Sequence, residues 1–342
     1  MSIWSLRWSS GVVSSSPAGR RERARGSGAD GTSILEVDMK LVECVPNFSE
    51  GRRPEVIDAI VGEMTAVDGV RLLDREMDAD HNRAVVTIVG EPEAVLEGVF
   101  RGMARASELI DLTKHEGEHP RMGATDVVPF VPIKGVTMDD CVELARRLAE
   151  RVGRELGIPV FLYEAACTRP DRENLANVRK GQFEGLCQEI GKNPDREPDC
   201  GPNCIHPTAG ATAIGARPFL VAYNINLGTA DVNVAKAIAK AIRHSNGGLR
   251  HVKAMGFAIK DRGIAQVSIN MVNFRGTPLF RAFEMVKSEA ERYGVPVIGS
   301  EIVGLVPADA LVDCAEFYLR LENFKRDQVL ENRLSSEDGS DQ

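Results

Sequence analysis

Asp126-Val127-Val128-Pro129-Phe130-Val131-Pro132-Ile133, the turn Lys134-Gly135-Val136, and the run from Thr137 to Gly157-Ile158-Pro159-Val160 decide the fold class. After Asp126 the next seven residues are apolar and rich in β-branched side chains, which predicts a buried strand. Thr137 with Asp140 three residues later predicts a capping box, in which each side chain satisfies the other's orphan amide. Leu144, Leu148, Val152 and Leu156 then recur at helical spacing until Gly157, a helix stop, and Ile158 to Tyr163 reads as the next strand. Strand, helix, strand is the signature of an α/β layer.

The same alternation extends outward. Toward the amino terminus, Leu41 to Val45 reads as a strand, and Pro54 opens a helix with Val56, Ile57, Ile60, Val61, Met64 and Val67 on one face. Gly69 ends that helix before strand-like Val70 to Leu73; Ala84 to Val89 is another strand. Pro92 starts a helix carrying Val95, Leu96, Val99, Phe100, Met103 and Leu109. Toward the carboxyl terminus, a strand from Ile264 to Val272, the turn Arg275-Gly276-Thr277, a helix to Gly294 and Val295-Pro296-Val297 repeat the Asp126–Tyr163 unit in outline. The expectation is an α/β (α+β) protein of two subdomains, 39–219 and 220–325, with an acidic tail over 326–342. The cleft between the subdomains is the default ligand site. Thr168 to Gly210, dense in Pro, Gly, Asn and Asp, is too long for an idle connection.

Composition narrows the function. The chain has 342 residues, 43% of them hydrophobic and 27% charged, which suits a globular enzyme rather than a disordered chain. A net charge of −8 gives no general attraction for phosphodiester backbones or anionic lipid. No apolar run approaches the roughly 20 residues of a membrane helix, so neither nucleic acid nor membrane is expected as a partner and a cytoplasmic location is. Seven cysteines, an odd and modest number, read as reduced thiols. Residues 1–38 hold both tryptophans, Trp4 and Trp8, and an Arg/Ser/Gly-rich stretch without periodicity. They read as a disordered leader upstream of a natural start at Met39.

Chemistry concentrates in loops. Lys114-His115-Glu116-Gly117-Glu118-His119-Pro120-Arg121-Met122-Gly123 packs two imidazoles, two glutamates and two cations between a helix and a strand. An imidazole both takes and gives a proton near neutrality; the bland alternative is a solvated polar loop. His115 and His119 also suggest a shared metal, but Gly117 and Pro120 oppose the helix that such spacing needs, and no metal is expected. Cys200, Cys204 and His206 lack a fourth ligand. Asp78 to Arg83 supplies Asn82 and Arg83, donors suited to a carboxylate, or else forms a polar hairpin turn. Gly201, Pro202, Asn203, Cys204, Ile205, His206, Pro207, Thr208, Ala209 and Gly210 form a loop whose glycines allow close backbone approach to a flat ligand. Gly-rich nucleotide loops and the G-x-S-x-G elbow do not occur.

Taken together, Val42-Glu43-Cys44-Val45-Pro46-Asn47-Phe48-Ser49-Glu50-Gly51, Asn82-Arg83, Gly117 to Gly123, Ala222-Tyr223-Asn224-Ile225-Asn226-Leu227 and Gly299 to Pro307 resemble the glutamate formimidoyltransferase family. The resemblance runs from about Met39 to about Phe324. It implies two α/β subdomains with facing sheets, outer helices and a ligand tunnel between them, and a homodimer. It implies transfer of a formimidoyl group from N-formimidoyl-L-glutamate to tetrahydrofolate, a step in histidine breakdown, with His119 catalytic and residues 201–210 on the folate. Asn82, Arg83 and Arg121 are the expected anchors of the donor. A same-fold enzyme using formimidoylglycine and a non-catalytic folate-binding protein are the alternatives; cyclodeaminase activity is not expected.

Overall fold

The structure is a computed structural model that describes residues 40–79, 81–117 and 119–337; the leader expected to be disordered lies outside them. The first sheet contains β1 (Leu41–Cys44), β2 (Asn47–Phe48), β3 (Arg71–Asp78), β4 (Arg83–Gly90), β5 (Thr125–Lys134), β6 (Val160–Glu164) and β7 (Thr212–Ala216). Between them run α1 (Pro54–Thr65), α2 (Pro92–Leu109), α3 (Met138–Glu155) and the short α4 (Leu175–Val178) and α5 (Gln182–Glu189). The second sheet comprises β8 (Val221–Leu227), β9 (Val252–Ile259), β10 (Ile264–Met271) and β11 (Val297–Val303), with α6 (Val232–Ile242), α7 (Leu279–Glu291) and α8 (Ala308–Leu319). A final helix, α9 (Leu330–Glu337), falls in the acidic tail.

Local signals read from the sequence operate as expected. Pro54 and Pro92 sit in the first turns of α1 and α2, and the Thr137–Asp140 capping box opens α3, with the Thr137 amide 2.8 Å from Asp140 Oδ2. Ile57, Ile60 and Met64 of α1, Val95, Val99 and Met103 of α2, and Leu144, Leu148 and Val152 of α3 bury their faces against one side of the first sheet. That side receives Val42 and Cys44 of β1, Val86 and Ile88 of β4, and Val128 and Phe130 of β5. Because strand side chains alternate, Glu43, Arg83 and Val89 belong to the opposite face, which carries no layer of long helices.

Topology revises the internal repeat. β1 and β2 form one interrupted strand between β4 and β5, and β3 pairs with β4, giving the order β3-β4-β1/β2-β5 with every pair antiparallel. The second sheet runs β9-β10-β8-β11, also antiparallel throughout. Both are the same β-α-β-β-α-β plan. By position in that plan α7 corresponds to α2, rather than to α3, with which the sequence outline aligned it. α3, β6 and β7 are an addition to the first copy, in which β7 lies parallel between β5 and β6. Similar glycine stops after two amphipathic helices produced the misalignment, since any strand-helix-strand unit needs them.

Two further differences have simple causes. β3 runs to Asp78, well beyond Leu73, because Arg71, Asp74, Arg75 and Glu76 are tolerated on an edge strand, where charge also discourages unwanted pairing. The Thr168–Gly210 segment carries α4 and α5, and its Val178, Leu186 and Ile190 form a separate cluster with Phe161, Tyr163 and Val127 on the open face. Its density of Pro, Gly and Asn masks that apolar spacing.

The second sheet reaches the first at two edges. Beyond β11, the Gly304 amide donates to Glu76 of β3. Across the molecule, Lys253 of β9 lies 3.5 Å from Glu164 at the end of β6 and 3.4 Å from Asn174. With α6 and α7 packed on its far side, the second sheet turns its polar face toward the first. No described helix is long and apolar enough to cross a membrane, and all seven cysteines are free thiols.

Candidate active site

The segment after α2 leaves the helix layer at Ile110 and crosses to the rim of the open face. Leu112 N bonds Thr208 O at 2.8 Å, Ala124 N bonds Ala209 O at 2.9 Å, and Ala211 N bonds Met122 O at 2.9 Å. Two loops singled out separately in the sequence are thereby zipped together at their glycines. A Cβ on Gly123 would stand 1.9 Å from the Ala211 carbonyl oxygen, and one on Gly210, whose φ is +71°, 2.4 Å from that of Met122. Gly123→Ala is therefore expected to lower stability by about 1–3 kcal/mol through overpacking, read as an earlier urea midpoint. An unchanged midpoint would show that this junction gives way freely.

Four histidines have defined tasks. His115 Nε2 lies 2.9 Å from the Asn82 carbonyl, which can only accept, so Nε2 carries the proton; Nδ1 then accepts from Arg121 Nε at 3.2 Å. Both nitrogens are engaged, and His115 has none to share with His119 over a metal. His206 Nδ1 accepts the Ala209 amide at 3.0 Å and closes its own turn. His81 Nδ1 pairs with Asp78 at 2.7 Å. His119 Nε2 is 2.8 Å from Arg83 Nη1, so it accepts and the ring proton sits on Nδ1. Among the described residues, no three His, Cys, Asp or Glu side chains gather as a metal site.

The surroundings of His119 set its charge. Burial, then Arg83 and Arg179, push its pKa down to about 2, because each disfavours the imidazolium. Arg179 is held by an ion pair with Asp126, whose other oxygen accepts the Met122 amide at 2.8 Å. Neutral His119 therefore lies among at least two fixed cations on the open face.

The other expected residues divide. Asn82, buried and at φ 47°, accepts the Gly51 amide at 2.9 Å and donates to Glu116 O at 2.9 Å, stitching three loops. Arg121 forms a two-pronged pair with Glu184 of α5 at 2.6 and 2.8 Å. It holds His115 and α5 together instead of lying open to a ligand. Of residues 201–210, Thr208, Ala209 and Gly210 meet the His119 loop. Gly201 packs on Gly153 of α3 and Asn203 accepts the Gly191 amide at 3.1 Å, so the ten residues are not one surface.

Arg179 and a row on the second sheet, Asn224, Asn226, Gln266 and Glu301, received no site role from the sequence, although Asn224, Asn226 and Glu301 lie in motifs that carry the resemblance. The alternation Asn224-Ile225-Asn226 was the available signal, since polar amides at period two within a strand mark a functional face.

Family models described as "Formiminotransferase domain, N-terminal subdomain" and "Formiminotransferase domain" match residues 41–217 and 222–334. The chain belongs to the formiminotransferase family. Among proteins similar to this formiminotransferase-family chain, one named glutamate formimidoyltransferase from Streptococcus pyogenes serotype M1 is 56% identical over 86% of the chain and 99% of its own length. A second of that name from Thermoplasma acidophilum is 49% identical over 86% of the chain and 98% of its own length. The formimidoyltransferase-cyclodeaminase of Mus musculus is 43% identical, matched over 86% of this chain and 56% of itself. In formiminotransferase terms, the first two relatives are matched across both β-α-β-β-α-β copies.

Proposed function

We propose that this protein transfers the formimidoyl group of N-formimidoyl-L-glutamate to N5 of tetrahydrofolate, releasing L-glutamate. The observation that carries the reading is a half-buried, neutral imidazole at His119 set among Arg83 and Arg179, in a chain so similar to proteins named for this activity. Attack of the N5 lone pair on the formimidoyl carbon forms one C–N bond and gives a tetrahedral species. Its collapse breaks the bond to the glutamate nitrogen. One proton leaves N5 and one joins the departing amine, so a single imidazole that takes and returns it balances the reaction.

With a pKa near 2 and its lone pair on Arg83, His119 is a poor base before substrate arrives. The donor's two carboxylates change that. Drawn to Arg83 and Arg179, they offset the cations that depress the imidazole and compete for the Arg83 N–H that occupies Nε2. Donor binding thus frees and strengthens the base, and a dicarboxylate does so better than a formimidoyl donor with one carboxylate. Holding both reactants in the cleft adds proximity.

The test is turnover by the full chain with tetrahydrofolate and either N-formimidoyl-L-glutamate or formimidoylglycine. Preference for the former supports the reading; preference for the latter, or folate binding without turnover, replaces it. A second prediction follows from charge. Arg83→Gln removes the nearest cation, so His119 titration in the free protein moves up from about 2 toward the ordinary imidazole range. Ring NMR shifts report it, and an unmoved titration would remove Arg83 as the control.

A further inference from the structure

The polar row on the second sheet is internally oriented by its carboxylate. Glu301 of β11 can only accept, so Gln266 of β10 must turn its amide nitrogen toward Glu301 Oε1, at 2.9 Å. The same nitrogen donates to Asn226 Oδ1 of β8 at 2.9 Å, which turns the Asn226 amide nitrogen outward. Asn224 Nδ2 also donates to Glu301 Oε1, at 3.2 Å. Three atoms then have no partner among the described residues: the acceptors Glu301 Oε2 and Gln266 Oε1, and the donor Asn226 Nδ2. Gln266, bonded to both of the others, lies between them.

Asn226 and Gln266 are only 5% and 6% exposed, yet their unpaired amide atoms are not sealed from solvent, so the little surface they keep is the polar surface a ligand would meet. Their side chains project from the face opposite the apolar cluster of Ile225, Val267 and α6, that is, toward the first sheet. Glu301 repels a dicarboxylate, whereas Arg83 and Arg179 on the first sheet attract one, so the two faces are matched to different reactants.

We propose that Glu301, Gln266 and Asn226 bind the 2-amino-4-oxo edge of the reduced pterin. That edge presents the 2-amino N–H, the N3–H and the 4-oxo oxygen in order, two donors followed by one acceptor. The row presents two acceptors followed by one donor. The inference rests on the transferase reading and adds to it the subsite for the acceptor ring. Its location fits: Glu301 is three residues, roughly 10 Å of strand, from Gly304, which donates to Glu76, itself close enough to Arg83 to feel its charge. Arg83 in turn bonds His119.

Two isosteric variants test it, because each can keep the internal bonds and invert the outward atom. In Glu301→Gln the side-chain oxygen still accepts from Gln266 and an NH2 group faces the 2-amino group. In Asn226→Asp one oxygen still accepts from Gln266 and the other faces the 4-oxo oxygen. Each is expected to raise the KM for tetrahydrofolate and the Kd for 6-methyltetrahydropterin about tenfold or more. The KM for N-formimidoyl-L-glutamate, binding of p-aminobenzoyl-L-glutamate, which lacks the pterin, and the thermal midpoint should all stay put. Unchanged tetrahydrofolate KM in both variants, with wild-type turnover intact, would overturn the subsite alone. So would a rise confined to the KM of the donor. A wild-type protein that binds neither tetrahydrofolate nor 6-methyltetrahydropterin would overturn the subsite and the transferase reading together.

Discussion

Replacing His119 by alanine is expected to lower kcat by ~100- to 10,000-fold, the range for loss of one positioned acid-base group. The effect should fall on kcat, because Arg83 and Arg179, the cations proposed to receive the donor, remain. Stability should change little: His119 is partly exposed, on a loop pinned by backbone bonds at Met122, Ala124 and Thr208 that the substitution leaves in place. Free imidazole, small enough to enter the vacated space, should restore part of the rate. Steady-state kinetics with and without imidazole decide the matter. A variant with near-normal kcat would transfer the proton shuttle to another group, and a raised KM with normal kcat would make His119 a binding residue only.

The second large effect concerns the base of the 200–210 loop. Asp199 and Arg172 are both almost fully buried and paired at 2.5 Å. Asp199 also accepts the Leu162 amide of β6 at 2.8 Å and the Thr168 hydroxyl, and the Arg172 guanidinium lies over the Phe161 ring at 5.1 Å. Asp199→Ala strands a buried guanidinium with no counter-charge and should cost about 3–5 kcal/mol. Urea denaturation measures it. The double variant Asp199→Leu with Arg172→Met should recover much of the loss, since desolvation then has no charge to penalise. A single variant within about 1 kcal/mol of wild type would place this pair in the class of screened surface pairs.

Local structure was legible where one short-range rule governs it. Pro54 and Pro92 at helix starts, the Thr137–Asp140 box, and the apolar stripes of α1, α2 and α3 need only residues within a turn or two of each other. β3 and α5 were harder, because an edge strand tolerates charge and a short helix tolerates neighbouring glycine and asparagine. The order of the strands, and with it the pairing of α7 with α2, depends on contacts between residues far apart in the chain.

The site divides in the same way. That His119 lies in a loop crowded with charge is a property of its neighbours in sequence. That Arg83 occupies its Nε2 while Arg121 is committed to Glu184 depends on where β4 and α5 come to rest. The row of Glu301, Gln266 and Asn226 brings together residues from three strands. By itself the sequence determined most element types, because helix and strand periodicity is local; its motifs carried the resemblance to the family that the chain matches, and it marked the loops proposed to carry the chemistry. Only the tertiary structure decided which polar atoms are spent on holding loops and which stay unpaired, because a hydrogen bond depends on distance and direction in space.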